Sequence, residues 1–372
     1  MTAVHPGRST PPPRHVVEVV PTDGPTADLW DAFVASVPGA DIVQSARWGR
    51  TKTRLGFEVL LLVLWRDGVI VGGAQLVLKR LPVFGAVAYV AAGPVVRPND
   101  GEACGQVVTE MGHVARSLRL RTIVVQPPGD AWDVAAVLEA AGFEPSPIEI
   151  APSATCLVDV RCTDEEILAR MSSTRRRFVR RSTQQPIEVR TGASTLDDFA
   201  ALHHSTSQRQ GFTPRTSAYL AAQWDELAAA GNLEVFVAYA GGRPAAGIWV
   251  SAFGERAVFR HSGWGGNKDL HVNEACHWAA MHWAREHGCD WYDLGGFHRP
   301  YAELLAAGRQ LPEDLPDRWS HLRFKATFGG RMVVAPPPRH GPAGGVVRAG
   351  ARTLRTLDIP ILDRAVERLR NG

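Results

Sequence analysis

The sequence predicts an α/β (α+β) protein in which one unit of mixed sheet and flanking helices occurs twice. Three observations carry this expectation. Two segments read as strand, tight turn, strand, and each is followed by a third strand, a helix and a fourth strand in the same order. The chain has 372 residues, which at about 150 per domain is enough for two cores.

The first hairpin is LLLVLWRDGVIVGGAQLVL, two apolar runs around Asp67-Gly68, a dipeptide suited to the left-handed backbone of a two-residue turn. The second, EVFVAYAGGRPAAGIWVSAF, turns at Gly241-Gly242. In both, another glycine follows the turn at the same spacing, Gly73 after Gly68 and Gly247 after Gly242. The third strands, VAYVAAGP and AVFRHSGW, repeat an aromatic-to-glycine spacing, Tyr89 to Gly93 and Phe259 to Gly263. Helical patterns follow, EACGQVVTEMGHVARSL and NEACHWAAMHWAREHG, leading into RTIVVQPP and CDWYDLGG. Ahead of each hairpin stands a helical segment ending in Gly-Phe, Gly56-Phe57 and Gly211-Phe212. Such parallel order indicates duplication of one unit. It matches the fold of acetyl-CoA-dependent N-acetyltransferases, so the expected architecture is two tandem acetyltransferase-like (GNAT-like) domains.

Residues 1–15 carry no apolar core and are expected to be a disordered tail. A first domain is expected over 16–152, completed by a return of the chain at 326–340, and a second over 153–325, beginning in APSATCLVDV where Pro152 precedes a new strand. Residues 341–372 are expected to form a helical extension. Early in the second domain TDEEILARMSSTRRRFVRRS reads as one helix with Thr163 as N-cap and Glu165 and Glu166 in its first turn. It ends in Arg175, Arg176, Arg177, Arg180 and Arg181, the most basic place in the chain.

A net charge of +3 leaves any polyanion partner to be met by a local patch of this kind. The five cysteines are odd in number and scattered without a CxxC pair, which argues against a disulfide framework and a zinc ribbon and suits a reducing cytoplasm. No apolar run approaches the roughly 18 residues of a membrane span. No GxGxxG or Walker loop occurs, which disfavours dinucleotide and nucleoside-triphosphate chemistry. The loop Arg97-Pro98-Asn99-Asp100-Gly101-Glu102-Ala103 resembles an acetyltransferase pyrophosphate loop but is one residue too long. His271, His277, His282 and His287 do not share one helical face, Glu274 and His277 lack a matching second motif, and no metal is expected. Cys156 is expected to pack as a small hydrophobe.

Taken in order, QSARWGRTKTRLGF, LPVFGAVAYVAAGPVV, the arginine helix, TSQRQGF, WAAMHWAREHGCDWYDLGG and FKATFGG resemble the FemABX family, in the compact FemX-like form without a helical arm, since no sustained heptad pattern is present. The resemblance implies two acetyltransferase-like domains. It further implies a cytoplasmic aminoacyltransferase that moves an amino acid from aminoacyl-tRNA, its co-substrate, to an amine acceptor and forms an amide. The acceptor would be a peptidoglycan precursor or the amine of a specialised metabolite such as an antibiotic, and no cofactor is implied. An acyl-CoA-dependent N-acyltransferase on the same fold, or an inactive tRNA- or precursor-binding protein, stays open beside it.

The donor is an activated ester, so the enzyme has two substrates to position and an oxyanion to stabilise. By the resemblance, Lys325 in HLRFKATFGG takes the oxyanion or terminal-phosphate role, flanked by Phe324 and Phe328, with Phe324 among the tRNA contacts. The residues alone allow another reading, in which Phe324, Ala326 and Phe328 form the apolar face of a strand and Lys325 its wet face. Lys52 and Arg209 match phosphate-binding positions for the acceptor, although Lys52 shares its helix with Arg47, Arg50 and Arg54 and reads equally as solvated. Phe259 and His261 complete the acceptor-binding set, with His261 a second candidate base. Asp293 is expected to orient the amine or take its proton, though Asp before paired glycines is also ordinary turn chemistry. Arg175, Arg176, Arg177, Arg180 and Arg181 are expected to meet the tRNA backbone, the bland alternative being a solvated helix end. Gln126-Pro127 stands where the family carries an acidic residue, and Thr213 and Phe259 stand where it carries tyrosines. These departures point away from the usual UDP-linked pentapeptide acceptor.

Overall fold

The computed structural model describes residues 15–81, 85–266, 270–316 and 319–341. The tail up to residue 14 and the extension from 342, expected to be disordered and helical, lie outside them, while His15, expected in the tail, opens the first strand.

The first half comprises β1 His15–Val20, α1 Pro25–Ser36, α2 Ala46–Arg54, β2 Glu58–Arg66, β3 Val69–Leu81, β4 Gly85–Ala91, β5 Val95–Val96, α3 Gly101–Ser117, β6 Thr122–Gln126, α4 Trp132–Ala140 and β7 Glu144–Pro145. The second comprises β8 Ala154–Asp159, α5 Asp164–Arg170, α6 Ser173–Ser182, β9 Ile187–Thr191, α7 Leu196–Gln210, α8 Ser217–Leu227, β10 Leu233–Ala240, β11 Arg243–Phe253, β12 Arg256–Trp264, α9 Val272–Glu286, β13 Trp291–Gly296, α10 Arg299–Ala306, α11 Ser320–Ala326 and β14 Arg331–Val334. A last strand, β15 Arg339–Gly341, returns to the first half.

Both predicted hairpins form. Asp67 and Gly68 have φ of 51° and 81°, Gly241 and Gly242 57° and 74°, the left-handed pair that matches a hairpin turn to the twist of its strands. Each hairpin carries a register shift at the same distance before its turn, after Leu64 and after Ala238. In each half the third and fourth strands lie parallel, β4 beside β6 and β12 beside β13, with α3 and α9 as crossovers. The repeated glycines are explained by close approach: a Cβ on Gly73 would lie 2.6 Å from the Trp30 ring, and one on Gly247 3.0 Å from Phe199. Trp30 and Phe199 are fully buried, and each aromatic removes on the order of 150–250 Å² from water. The described residues thus form two tandem acetyltransferase-like units.

The strand orders are β1-β2-β3-β4-β6-β15-β7, with β5 on β3, and β14-β8-β13-β12-β11-β10-β9. The return was expected from 326, but β14 remains in the second sheet on β8 and only β15 crosses, inserting between β6 and β7.

Three local expectations change. The predicted single helix from Thr163 is α5 and α6: Thr163 makes its capping box with Glu166, but Ser172 then accepts from the Arg175 N–H (3.2 Å) and starts a new helix. A serine that caps so well competes with helix continuation. FKATFGG is not a strand: Phe324 to Ala326 close α11, Thr327 and Phe328 form the turn after it, and the two phenylalanine rings meet at 5.1 Å. Finally, α8 stands between Gly211-Phe212 and the second hairpin, whereas Gly56-Phe57 runs directly into β2.

Candidate functional site in the groove between the halves

A groove runs between the two sheets. One cavity of about 180 Å³ is lined by Trp48, Lys52, Gln75 and Tyr89 from the first half and by Arg215, Tyr219, Phe259, Arg260 and His261 from the second. It shares Asp41, Pro152, Arg260, Gly295 and Gly296 with a smaller cavity of about 80 Å³ that also holds Thr155, Arg256 and Asp293.

Ser45 caps α2, its Oγ accepting the Trp48 N–H (3.1 Å). Arg50 pairs with Glu226 (2.9 Å) and Arg54 with Asp225 (2.7 Å), which fastens α2 to α8. Lys52 is the one that is buried, its ammonium 5.2 Å from the Phe57 ring and 5.5 Å from that of Tyr219. The solvated reading of Lys52 therefore fails, because helical rotation separates it from its exposed neighbours.

Arg209 is not in the groove. It is exposed, donating to the Trp264 carbonyl and to Ser205 Oγ (2.7 Å), and ties α7 to the end of β12. The arginine that lines the cavity is Arg215, its guanidinium 4.7 Å from the Tyr219 ring. Its backbone is placed by His203, whose Nδ1 donates to the Ser262 carbonyl (2.7 Å) while Nε2 accepts the Arg215 N–H (3.1 Å). Burial lowers the His203 pKa, which suits this neutral tautomer. The available signal was Thr216, a good N-cap for TSAYLAAQW that puts Arg215 at a helix entry. Tyr219 and Tyr89 supply the phenol rings that Thr213 and Phe259 do not. Gln126, in the place of the expected acid, instead holds the Ile150 and Ala151 N–H groups (2.9 Å each) and donates to the Ala151 carbonyl.

Asp293 ends the parallel register of β12 and β13 and is buried against Arg256, whose Nη1 is 3.8 Å away. It accepts from Thr155 Oγ1 and from the Gly295 N–H (2.8 Å). Burial raises its pKa against the pull of Arg256 and these donors, making the carboxylate a better proton acceptor. Beside it Asp41 and Arg260 pair at 2.6 Å. His261 and Phe259 both line the larger cavity.

Lys325 lies just behind the groove wall. It is buried on α11, and its Nζ donates to the Gly296 carbonyl (2.7 Å), 5.7 Å from the Phe259 ring. Burial lowers its pKa to about 8, with Asp293 opposing. Its two phenylalanines do not flank the ammonium. Phe324 and Phe328 instead pack on the Arg175 guanidinium, at 4.1 and 5.1 Å, and on His277, with Phe328 buried and Phe324 half-buried at the edge of the core. Cys156 is buried with its thiol pushed up to about 12, and packs beneath Lys325.

Arg175 also leaves the predicted patch: it is buried, ion-paired with Glu274 and bonded to Thr327 Oγ1 (3.0 Å). Arg177, Arg180 and Arg181 are exposed and Arg176 half-buried. His277 bonds the Tyr292 hydroxyl (2.7 Å), burial lowers its pKa to about 3, and among the described residues no group suited to a metal occurs. No described helix is long and apolar enough to cross a membrane. The start of α3 is occupied by its own carboxylate: Asp100 accepts the Ala103 N–H (3.1 Å) and forms a double hydrogen bond to Arg66 (3.0 Å each). A pyrophosphate there would meet that charge.

A model of the acetyltransferase (GNAT) domain matches residues 169–303. A lipid II:glycine glycyltransferase of Staphylococcus haemolyticus is 29% identical over 219 residues, 56% of this chain and 52% of that protein. One from Staphylococcus aureus is 28% identical over the same shares. The chain thus spans about half the length of the curated relatives it matches. Among solved structures, FemX superposes with a TM-score of 0.75 over 86% of this chain and 96% of that one at 20% identity. The C-terminal domain of a putative lysylphosphatidylglycerol synthetase from Agrobacterium fabrum superposes at 0.55 over 89% and 95%, at 14% identity. Sequence likeness to the glycyltransferases and a duplicated fold shared with FemX agree with the resemblance to the FemABX family.

Proposed function

We propose that this protein transfers an amino acid from aminoacyl-tRNA to an amine of a peptidoglycan precursor, forming an amide. The observation that carries the reading is the groove, in which the cavity of Lys52, Arg215 and Arg260 adjoins that of the Asp293 carboxylate, with the Lys325 ammonium one carbonyl behind. Lys52 and Arg215 hold an anionic group of the acceptor, as a point charge and a planar fork suit phosphate oxygens. Asp293 takes a proton from the attacking amine as the new C–N bond forms at the ester carbonyl, and returns it to the ribose oxygen of the tRNA, which leaves as the hydroxyl when the ester C–O bond breaks. Lys325 fixes the Gly296 wall and supplies positive potential toward the oxyanion. Arg177, Arg180 and Arg181 meet the donor's phosphates. The carboxylate already at the start of α3 disfavours a CoA pyrophosphate at that helix.

Incubation with radiolabelled aminoacyl-tRNA and amine-bearing precursors is expected to give labelled amide. Label arriving only from an acyl-CoA thioester overturns the reading.

A further inference from the structure

We infer that Arg256 reads a carboxylate, taking the carboxyl end of a peptide acceptor whose amine lies toward Asp293. The inference rests on the acceptor reading above and adds the chemistry of the acceptor's far end.

Arg256 opens β12 and is 8% exposed. It lines the cavity of Asp293 and also a further one of about 270 Å³, which shares Gly39, Pro128 and Gly129 with the first and is lined as well by Arg97 and Arg331. Among the described residues its guanidinium makes no hydrogen bond, and its Nε is buried without a partner. The nearest carboxylate, Asp293, is 3.8 Å away, beyond hydrogen-bond reach, and is held by Thr155 and the Gly295 N–H. A guanidinium carries five donors, and burying them without acceptors is costly, so an arginine placed in this way suits an acceptor brought in by a ligand. Gly39, with φ of 77°, lies beside the guanidinium: a Cβ there would be in ordinary contact with Arg256 Nη2, at 3.7 Å.

Charge selects among anions. In the larger cavity Arg97, Arg256 and Arg331 are matched by Asp130, Asp133 and Glu255, with Arg331 paired to Asp130 (3.6 Å) and Glu255 accepting from the Gly39 N–H (2.9 Å). A phosphate dianion would overload such a balanced site, whereas one carboxylate matches the fork of Arg256. A peptide fits because the groove continues from Arg256 past Asp293 to the cavity of Lys52 and Arg215.

The test is calorimetric binding of Lys-Ala-Ala to the full chain, as the free acid and as the C-terminal amide. The acid is expected to bind at least about tenfold more tightly, the scale of a charge-assisted hydrogen bond. That preference is expected to vanish in Arg256→Gln and to persist in part in Arg256→Lys, which keeps the charge without the fork. Should Arg256→Gln fail to fold, the wild-type acid-to-amide ratio and Arg256→Lys decide. Equal binding of acid and amide, binding of neither, or a preference that survives Arg256→Gln overturns the assignment. Displacement of the acid by equimolar inorganic phosphate reassigns the site to phosphate and overturns it as well. Acid-selective binding without amide formation from any aminoacyl-tRNA leaves Arg256 as assigned and counts against the transferase reading.

Discussion

Lys325 combines burial with charge. Burial pulls its pKa down to about 8, while the Gly296 carbonyl gives the ammonium an acceptor and Asp293 an opposite charge. The ammonium therefore prevails at neutral pH and is lost as pH rises through about 8. If it supports the oxyanion, transfer rates are expected to fall above that pH, opposite in direction to the gain from deprotonating the acceptor amine. Lys325→Met is expected to lower kcat by about 100-fold, the scale of a removed oxyanion donor, and to erase the descending limb in a pH–rate profile. Stability should move the other way. The folded lysine loses its proton near 8 and the unfolded one near the ordinary 10.5, so between these values the unfolded chain binds more protons and stability rises with pH. Urea midpoints at pH 7.5 and at pH 10 should show that rise in the wild type and lose this contribution in Lys325→Met.

The helix α6 divides its arginines between two tasks. Arg175 is locked to Glu274 beneath Phe324, so Arg175→Ala leaves a buried carboxylate alone and is expected to cost about 3–5 kcal/mol, seen as a lowered Tm. Adding Glu274→Gln should recover part of that loss. Arg180 and Arg181 face water, and Arg180→Ala with Arg181→Ala should change stability by less than about 0.5 kcal/mol per site. If they contact tRNA phosphates, the slope of log affinity against log salt flattens by about 0.7–0.9 per lost contact in filter binding. An unchanged slope would identify the patch as a solvated helix end. The sequence showed the basic run plainly, but not that Ser172 restarts the helix and turns its first arginine into the core.

Across the whole molecule, the halves are tied by the chain's return. With β15 between β6 and β7, the first sheet depends on residues that follow the entire second half. Truncation after Pro338 removes both pairings. Hydrogen exchange is then expected to show lost protection in β6 and retained protection in β8 and β13, whose partners stay in place. Equal protection in both sheets after truncation would show the return strand to be dispensable.

The sequence by itself determined the duplicated order of elements, both hairpin turns, the Thr163 cap and the repeat of Gly73 and Gly247, because each depends on residues that neighbour one another along the chain or repeat at fixed spacing. Tertiary structure decided which cations reach the groove. Arg209 is captured by the carbonyl of Trp264, Arg175 by Glu274, and Lys325 by the carbonyl of Gly296, while His203 carries Arg215 to the cavity wall. A long charged side chain goes where a buried acceptor or an open cavity meets it, and these partners are set by packing between elements far apart in sequence, which no local pattern records.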